Sequence, residues 1–266
     1  KAYREVGRGL RGGGGGVSAD LRLGRWQDVL ADVGECDVIL TDPPYSERTE
    51  AGARSHNDGS PKPNVFYGSI TEADAAAFAA SWSVRCRKWV LLFCDHVAFR
   101  WHEAAWKMVG WYTFAPVAWV KNGAAPRFGA DGPASQVEWL FIARPRRDVP
   151  ELGHKPGWYM AETMRAFHKE TNGVAGTKDV RGLRRILADY TRPGDIVVDP
   201  YAGTATVGQA CIDMGRRYVG SECDPETHAK GLRRLALATP CLPGMEPDRW
   251  RGAGVEQASL LPTERG

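Results

Sequence analysis

Asp42-Pro43-Pro44-Tyr45 is the stretch of this sequence whose residue types are best suited to chemistry. It follows the apolar run Val38-Ile39-Leu40, which reads as a buried strand closed by turn residues. Two adjacent prolines fix φ and remove backbone donors, so the turn is rigid and its carbonyls are free to accept. A carboxylate, a free carbonyl and an aromatic ring side by side suit an exocyclic amine on a planar ring. The carboxyl end of a strand is also where open α/β sheets place ligand chemistry. A plain strand-ending turn would need the same prolines, so the rest of the chain has to decide.

A second constellation lies near the other end. Ile196-Val197-Val198 reads as a buried strand, followed by Asp199-Pro200-Tyr201-Ala202-Gly203-Thr204-Ala205-Thr206 and a helix with Val207, Ala210, Cys211 and Met214 on one face. Arg217 to Ser221 forms the next strand and ends at Glu222. A small-residue loop after a strand lets a ligand approach the backbone closely, and an acid at the end of the next strand can hold ribose hydroxyls. The unit therefore reads as a nucleoside-cofactor pocket. It lacks the full glycine fingerprint of a dinucleotide site, which argues against a nicotinamide cofactor.

The elements that must position these two sites alternate between strand and helix. Strands are expected at Asp20–Gly24, Trp89–Cys94, Trp111–Val120 and Val137–Ala143. Helices are expected near Trp26–Val33, from a capping box at Thr71 and Asp74 to about Val84, over Val97–Val109, and around Leu183, Ile186, Leu187 and Tyr190. In the third of these the apolar residues fall at 97, 101, 104, 105 and 108. The pattern predicts an α/β fold: a mostly parallel sheet with helices on both faces. Residues 1–18, with the run Gly12–Gly16, read as a flexible arm, 19–238 as the folded domain, and 239–266 as a peripheral tail. Within the domain, 46–69 reads as a long polar loop and 144–177 as an excursion from the sheet without clear periodicity.

Composition bounds the rest. A chain of 266 residues can bury a substantial core. No apolar run is long enough for a membrane helix, and six scattered cysteines without a paired motif read as thiols of a reducing cytosol, not as disulfides or metal ligands. The net charge of +3 says little, but residues 121–192 carry thirteen Lys and Arg against eight Asp and Glu, compatible with a phosphate backbone.

The two motifs together resemble the amino-group DNA methyltransferases. Their order, with Asp42-Pro-Pro-Tyr45 first and Asp199-to-Thr206 second, is similar to the β group of adenine-N6 and cytosine-N4 enzymes, over about residues 19–235. The resemblance implies a Rossmann-like S-adenosylmethionine-dependent methyltransferase fold. It implies a catalytic Asp42, Pro43, Pro44 and Tyr45, and a cofactor site of Asp199, Pro200, Tyr201, Ala202, Gly203, Thr204, Thr206, Glu222 and Lys178. By the same likeness residues 144–177 fall at the target-recognition region. Lys121, Arg127, Arg144, Arg146 and Arg147 are the expected DNA contacts, double-stranded DNA the partner, a homodimer a further expectation, and no metal is implied. The chain departs from the family pattern at Ala205, where a second glycine is usual, at Arg25, where an acid follows the glycine, and at Asp179, where proline is usual.

The expected activity is N6 methylation of a flipped adenine in duplex DNA by a cytoplasmic, bacterial or phage-encoded enzyme. Cytosine-N4 methylation is the nearest alternative. RNA or a protein amide as substrate, and a DNA-binding protein with a degenerate cofactor site, are the others.

Overall fold

The computed structural model describes residues 18–49, 68–121, 133, 136–147, 153–161 and 177–241. The glycine-rich arm, most of the 46–69 loop, Arg127 and residues 242–266 lie outside the described residues. One mixed sheet organises the chain. Its nine strands are β1 (Ala19–Leu23), β2 (Cys36–Thr41), β3 (Cys86–Cys94), β4 (Tyr112–Thr113), β5 (Val117–Lys121), β6 (Val137–Arg144), β7 (Trp158–Ala161), β8 (Ile196–Asp199) and β9 (Arg217–Glu222). The order across the sheet is β1-β9-β8-β2-β3-β6-β5-β7, with β4 also on β6. The pairs from β1 to β3 are all parallel, and β6 runs antiparallel to both of its long neighbours.

Every residue of β2 is buried, as expected of a parallel strand covered on both faces. Val38 and Leu40 enter one core with Leu183, Ile186 and Leu187 of helix α4 (Val180–Tyr190) and Ala210 and Cys211 of α5 (Thr206–Asp213). Ile39 points the other way, into a core with Phe78 and Trp82 of α2 (Glu72–Trp82) and Phe99 and Trp106 of α3 (His96–Met108). Two further helices, α1 (Trp26–Val29) and α6 (Pro225–Leu237), complete the layers among the described residues. The α/β architecture expected from the sequence, a mostly parallel sheet with helices on both faces, is present.

The capping box at Thr71 is formed: Asp74 N donates to Thr71 Oγ1, and Thr71 N donates to Asp74 Oδ2. Three local readings need correction. The expected strand over Trp111–Val120 is two pieces, β4 and β5, with Pro116 between them unable to donate to a ladder. In α3 the buried face is Ala98, Phe99, His102, Ala105 and Trp106, whereas Met108 is exposed. Burial of Phe99, His102 and Trp106 sets the helix rotation and leaves Trp101 half-buried and Ala104 exposed. The excursion at 144–177 contains β7, whose Tyr159 and Ala161 are buried while Trp158 and Met160 are exposed. Four residues are too few for their alternation to stand out in a sequence.

All six cysteines are free thiols. Cys36, Cys86, Cys94 and Cys211 are buried, Cys223 is exposed and Cys241 is half-buried. No described helix is long and apolar enough to cross a membrane.

Candidate active site

The strand directions bring the two motifs together. β2 and β8 are parallel neighbours, so Asp42 and the 199–206 loop emerge side by side at the same end of the sheet. From β2 the chain proceeds to β3 on one side, and from β8 to β9 on the other. The crevice between β2 and β8 is thus a topological switch point, the place where open α/β sheets bind ligands.

A hydroxyl joins the two loops. Thr41 Oγ1 donates to Asp199 Oδ1 at 2.6 Å and accepts from Tyr201 N at 3.1 Å. Tyr218 OH donates to the other Asp199 oxygen at 3.2 Å. The Asp199 carboxylate is therefore turned into the protein, where it fixes the loop. Burial pushes its pKa up to about 7, against the downward pull of its Thr41 and Tyr218 hydrogen bonds.

The loop is further pinned from β9, with Ala202 N on Ser221 O and Ser221 Oγ on Pro200 O. Tyr201 stacks on Phe78 and accepts from Trp26 Nε1 at 3.0 Å. Gly203 has φ of +52° with open space where a Cβ would be, and Ala205 takes the left-handed region at φ of +57°. A left-handed alanine costs about 1 kcal/mol or more, which glycine would avoid. The departure at Ala205 thus places an alanine in the backbone conformation that suits glycine.

Glu222 is buried at the end of β9, where Asp224 N donates to its Oε1. Arg25 caps α1 through its backbone only, and the nearby Asp28 is exposed in that helix. These residues fit a nucleoside cofactor: a buried acid for ribose hydroxyls, an open loop surface at Gly203, and a buried Thr204 hydroxyl with no protein partner.

Lys178 is the residue whose place differs most from expectation. Its ammonium reaches Asp42 Oδ2 at 2.5 Å, Glu138 Oε2 at 3.1 Å and Tyr45 OH at 3.2 Å, so within the protein it belongs to the Asp42 motif and not to the 199–206 loop. Glu138 is the second residue of β6, and because β6 is antiparallel to β3 its start lies at the same end of the sheet as Asp42. Glu138 Oε2 also accepts from Tyr45 OH at 2.8 Å, and its Oε1 takes Lys121 Nζ at 3.0 Å.

The result is an alternating row of charge: Lys121, Glu138, Lys178, Asp42. Burial works against Glu138's charge, but Lys178 and Lys121 hold its pKa down to about 2. Burial likewise works against the Lys178 ammonium, and Asp42 with Glu138 raise its pKa to about 12. Asp42 lies above the ordinary carboxylate range because burial and Glu138 outweigh Lys178.

The turn itself is anchored by Asp95, the residue between β3 and α3. Its Oδ2 accepts from Ser46 N, Ser46 Oγ and Thr49 Oγ1, while its Oδ1 caps α3 at Val97 N and Ala98 N.

The expected DNA contacts are only partly gathered here. Lys121 is at the right end of the sheet, but its charge is committed to Glu138. Arg144, Arg146 and Arg147 are not at the site. β6 carries them to the opposite end, with Arg144 paired across from Tyr112 and its guanidinium over the Tyr112 and Phe114 rings. Their local richness in positive charge said nothing of strand direction, which is what separates them from Asp42.

Comparison with known proteins gives the family and the fold. The DNA methylase family model, which covers N6 and N4 methyltransferases, matches residues 36–231. The chain belongs to this DNA methylase family. Among curated relatives, the type II methyltransferase M.XycI of Xanthomonas campestris pv. cyanopsidis is 32% identical over 47% of this chain and 45% of its own length. M.Cfr9I of Citrobacter freundii is 31% identical over 53% of this chain and 50% of its own. The chain thus spans about half the length of these two relatives. YubD of Escherichia coli K12 matches more broadly, 27% identical over 80% of this chain and 88% of its own. Among solved structures, the complex of M1.HpyAVI with S-adenosylmethionine superposes with a TM-score of 0.62 at 19% identity, over 82% of this chain and 100% of that one. The cytosine-N4-specific PvuII methyltransferase gives 0.58 at 14% identity, over 82% and 86%. At such identities the likeness is one of fold.

Proposed function

We propose that this DNA methylase family member transfers a methyl group from S-adenosylmethionine to the N6 amine of an adenine in double-stranded DNA. The observation that carries the reading is the seating of Asp42 beside the cofactor-type loop at the β2–β8 crevice, with Asp42 Oδ1 buried and without a protein partner. An unpaired acceptor at that place suits an amine hydrogen, since leaving it unmade costs about 1–3 kcal/mol.

When bound, S-adenosylmethionine supplies an electrophilic methyl group on a sulfonium. Glu222 would hold its ribose hydroxyls and the backbone at Gly203 and Thr204 its chain. Asp42 Oδ1 accepts one hydrogen of the target amine and the Pro43 carbonyl the other. This draws the nitrogen towards a pyramidal geometry and frees a lone pair otherwise delocalised into the ring. The amine nitrogen would be the nucleophile towards that methyl group, and Asp42 or water would take the proton that the amine sheds. Catalysis is by positioning and fixed charge, without a covalent enzyme intermediate. Tyr45, its hydroxyl held by Glu138, offers its ring to a base that must leave the duplex to reach Asp42.

Aspartate at the head of the motif favours adenine. YhdJ of Escherichia coli K12, named a DNA adenine methyltransferase, is 46% identical over 21% of this chain, which supports the same base. Cytosine-N4 is the second reading, since the fold likeness extends to a cytosine-N4-specific enzyme. A homodimer, which would suit a palindromic site, is part of the proposal.

The test separates the two loops. Asp42→Ala should abolish methyl transfer to duplex DNA while calorimetry shows S-adenosylmethionine binding retained, and Glu222→Ala should weaken that binding at least about tenfold. Full activity in the first variant, or unchanged affinity in the second, would contradict the assignment.

A further inference from the structure

We propose that Lys178 is a positioning residue for methyl transfer: it occupies Asp42 through Oδ2, keeps that carboxylate ionised, and leaves Oδ1 as the acceptor for the amine. The inference rests on the proposed function and adds a residue to it.

The geometry is specific. A lysine ammonium has three donors, and Lys178 directs them at three oxygens, those of Asp42, Glu138 and Tyr45. Its side chain is only 8% exposed and lies over the Phe93 ring at 4.8 Å. With its donors spoken for and its stem enclosed, Lys178 has no free hand for phosphate or for a cofactor carboxylate. Of the Asp42 oxygens one is thereby engaged and the other, Oδ1, is buried with no partner.

An ionised carboxylate is hard to keep at this place. Glu138 on β6 and Asp199 on β8 are acids that face Asp42 and work against its charge, whereas the Tyr45 hydroxyl favours that charge as a donor and burial keeps the Cys94 thiol protonated. Lys178 is the cation in direct contact with it, and Lys121 stands behind Glu138. Protonation would give Asp42 a hydroxyl donor and spoil it as an acceptor for the amine. Glu138 has the converse part. It aims Lys178 and Tyr45, yet its own negative charge works against Asp42 ionisation.

These opposed signs give a test that a merely structural role would not pass. The acid limb of kcat for methylation of duplex DNA reports ionisation in the enzyme–substrate complex. Lys178→Gln should move that limb to higher pH by about one unit or more, Lys178→Arg should restore it in part, and Glu138→Gln should move it to lower pH. S-adenosylmethionine affinity, read by calorimetry on the same proteins, should stay within about threefold of the wild type, as the polar contacts of Lys178 among the described residues are with Asp42, Glu138 and Tyr45 and not with the 199–206 loop. Should Lys178→Gln fail to fold, Lys178→Arg and Glu138→Gln carry the test. Wild-type methylation with coincident pH profiles in the variants would overturn the role of Lys178 and leave the proposed function standing. So would a loss of cofactor affinity at unchanged kcat. A wild-type protein that methylates no DNA would remove the function and this inference together.

Discussion

Thr41 Oγ1 lies 2.6 Å from Asp199 Oδ1, and this one hydrogen bond connects the strand that presents Asp42 to the strand that presents the 199–206 loop. The same oxygen accepts from Tyr201 N, so a single buried hydroxyl ties the two loops together beyond the end of the β2–β8 pairing. Transfer between an amine at one loop and a cofactor at the other needs that separation fixed, because small misplacements cost large factors in rate.

Thr41→Val keeps the shape but removes the hydroxyl. It leaves a buried carboxyl oxygen and the Tyr201 N–H without their partner, a loss of about 2–6 kcal/mol at about 1–3 kcal/mol for each abandoned group. Urea unfolding should show that loss, methylation should fall more than S-adenosylmethionine affinity, and Thr41→Ser should recover both. A Thr41→Val protein with wild-type stability would mean that the joint is not needed.

Asp199 also predicts a pH dependence. Its folded pKa is raised to about 7, so between about pH 4, its value in an unfolded chain, and about pH 7 the folded state binds the extra proton. This residue's contribution to stability is therefore full below that window and is lost as pH rises through it. Asp199→Asn has no proton to lose. The stability of the variant relative to wild type should thus climb from about pH 4 to about pH 7 in denaturant titrations. A constant difference across the window would show that Asp199 is ionised at low pH after all.

Much of this arrangement could be read in the chain and part of it could not. The Asp42 turn and the 199–206 loop are local: each is a strand, a run of special residues and a neighbouring helix, and each lies where its own sequence put it. The row from Lys121 to Asp42 is different. Lys178 and Asp42 are 136 residues apart, and only the sheet order brings them into contact. Glu138 is at the site and Arg144 is not, though they share a strand, because β6 runs antiparallel to β3. Direction is a tertiary property, and a count of basic residues over 121–192 carries none of it. The rotation of α3 was missed for a related reason: burial of Phe99 and Trp106 against the sheet, not spacing alone, chooses the inward face.

Gly182, near the start of α4, marks how closely that helix must approach the sheet. A Cβ there would stand 2.3 Å from Trp119 Cη2, in a ring that is fully buried. Gly182→Ala would gain at most about 1 kcal/mol of helix propensity, while overpacking of this kind costs about 1–3 kcal/mol. The variant should unfold at lower denaturant. It should also lose methylation, since displacing the start of α4 displaces Lys178. A more stable and fully active variant would mean that the helix can shift without cost to the site.

The central claim is tested most directly by nucleoside mass spectrometry of unmethylated duplex DNA after incubation with the wild-type protein and S-adenosylmethionine, with Asp42→Ala as control. The account predicts N6-methyladenine in the wild-type reaction and none with the variant. N4-methylcytosine would keep the site and reverse the base. DNA that carries neither product, from a protein shown by calorimetry to bind S-adenosylmethionine, would contradict it.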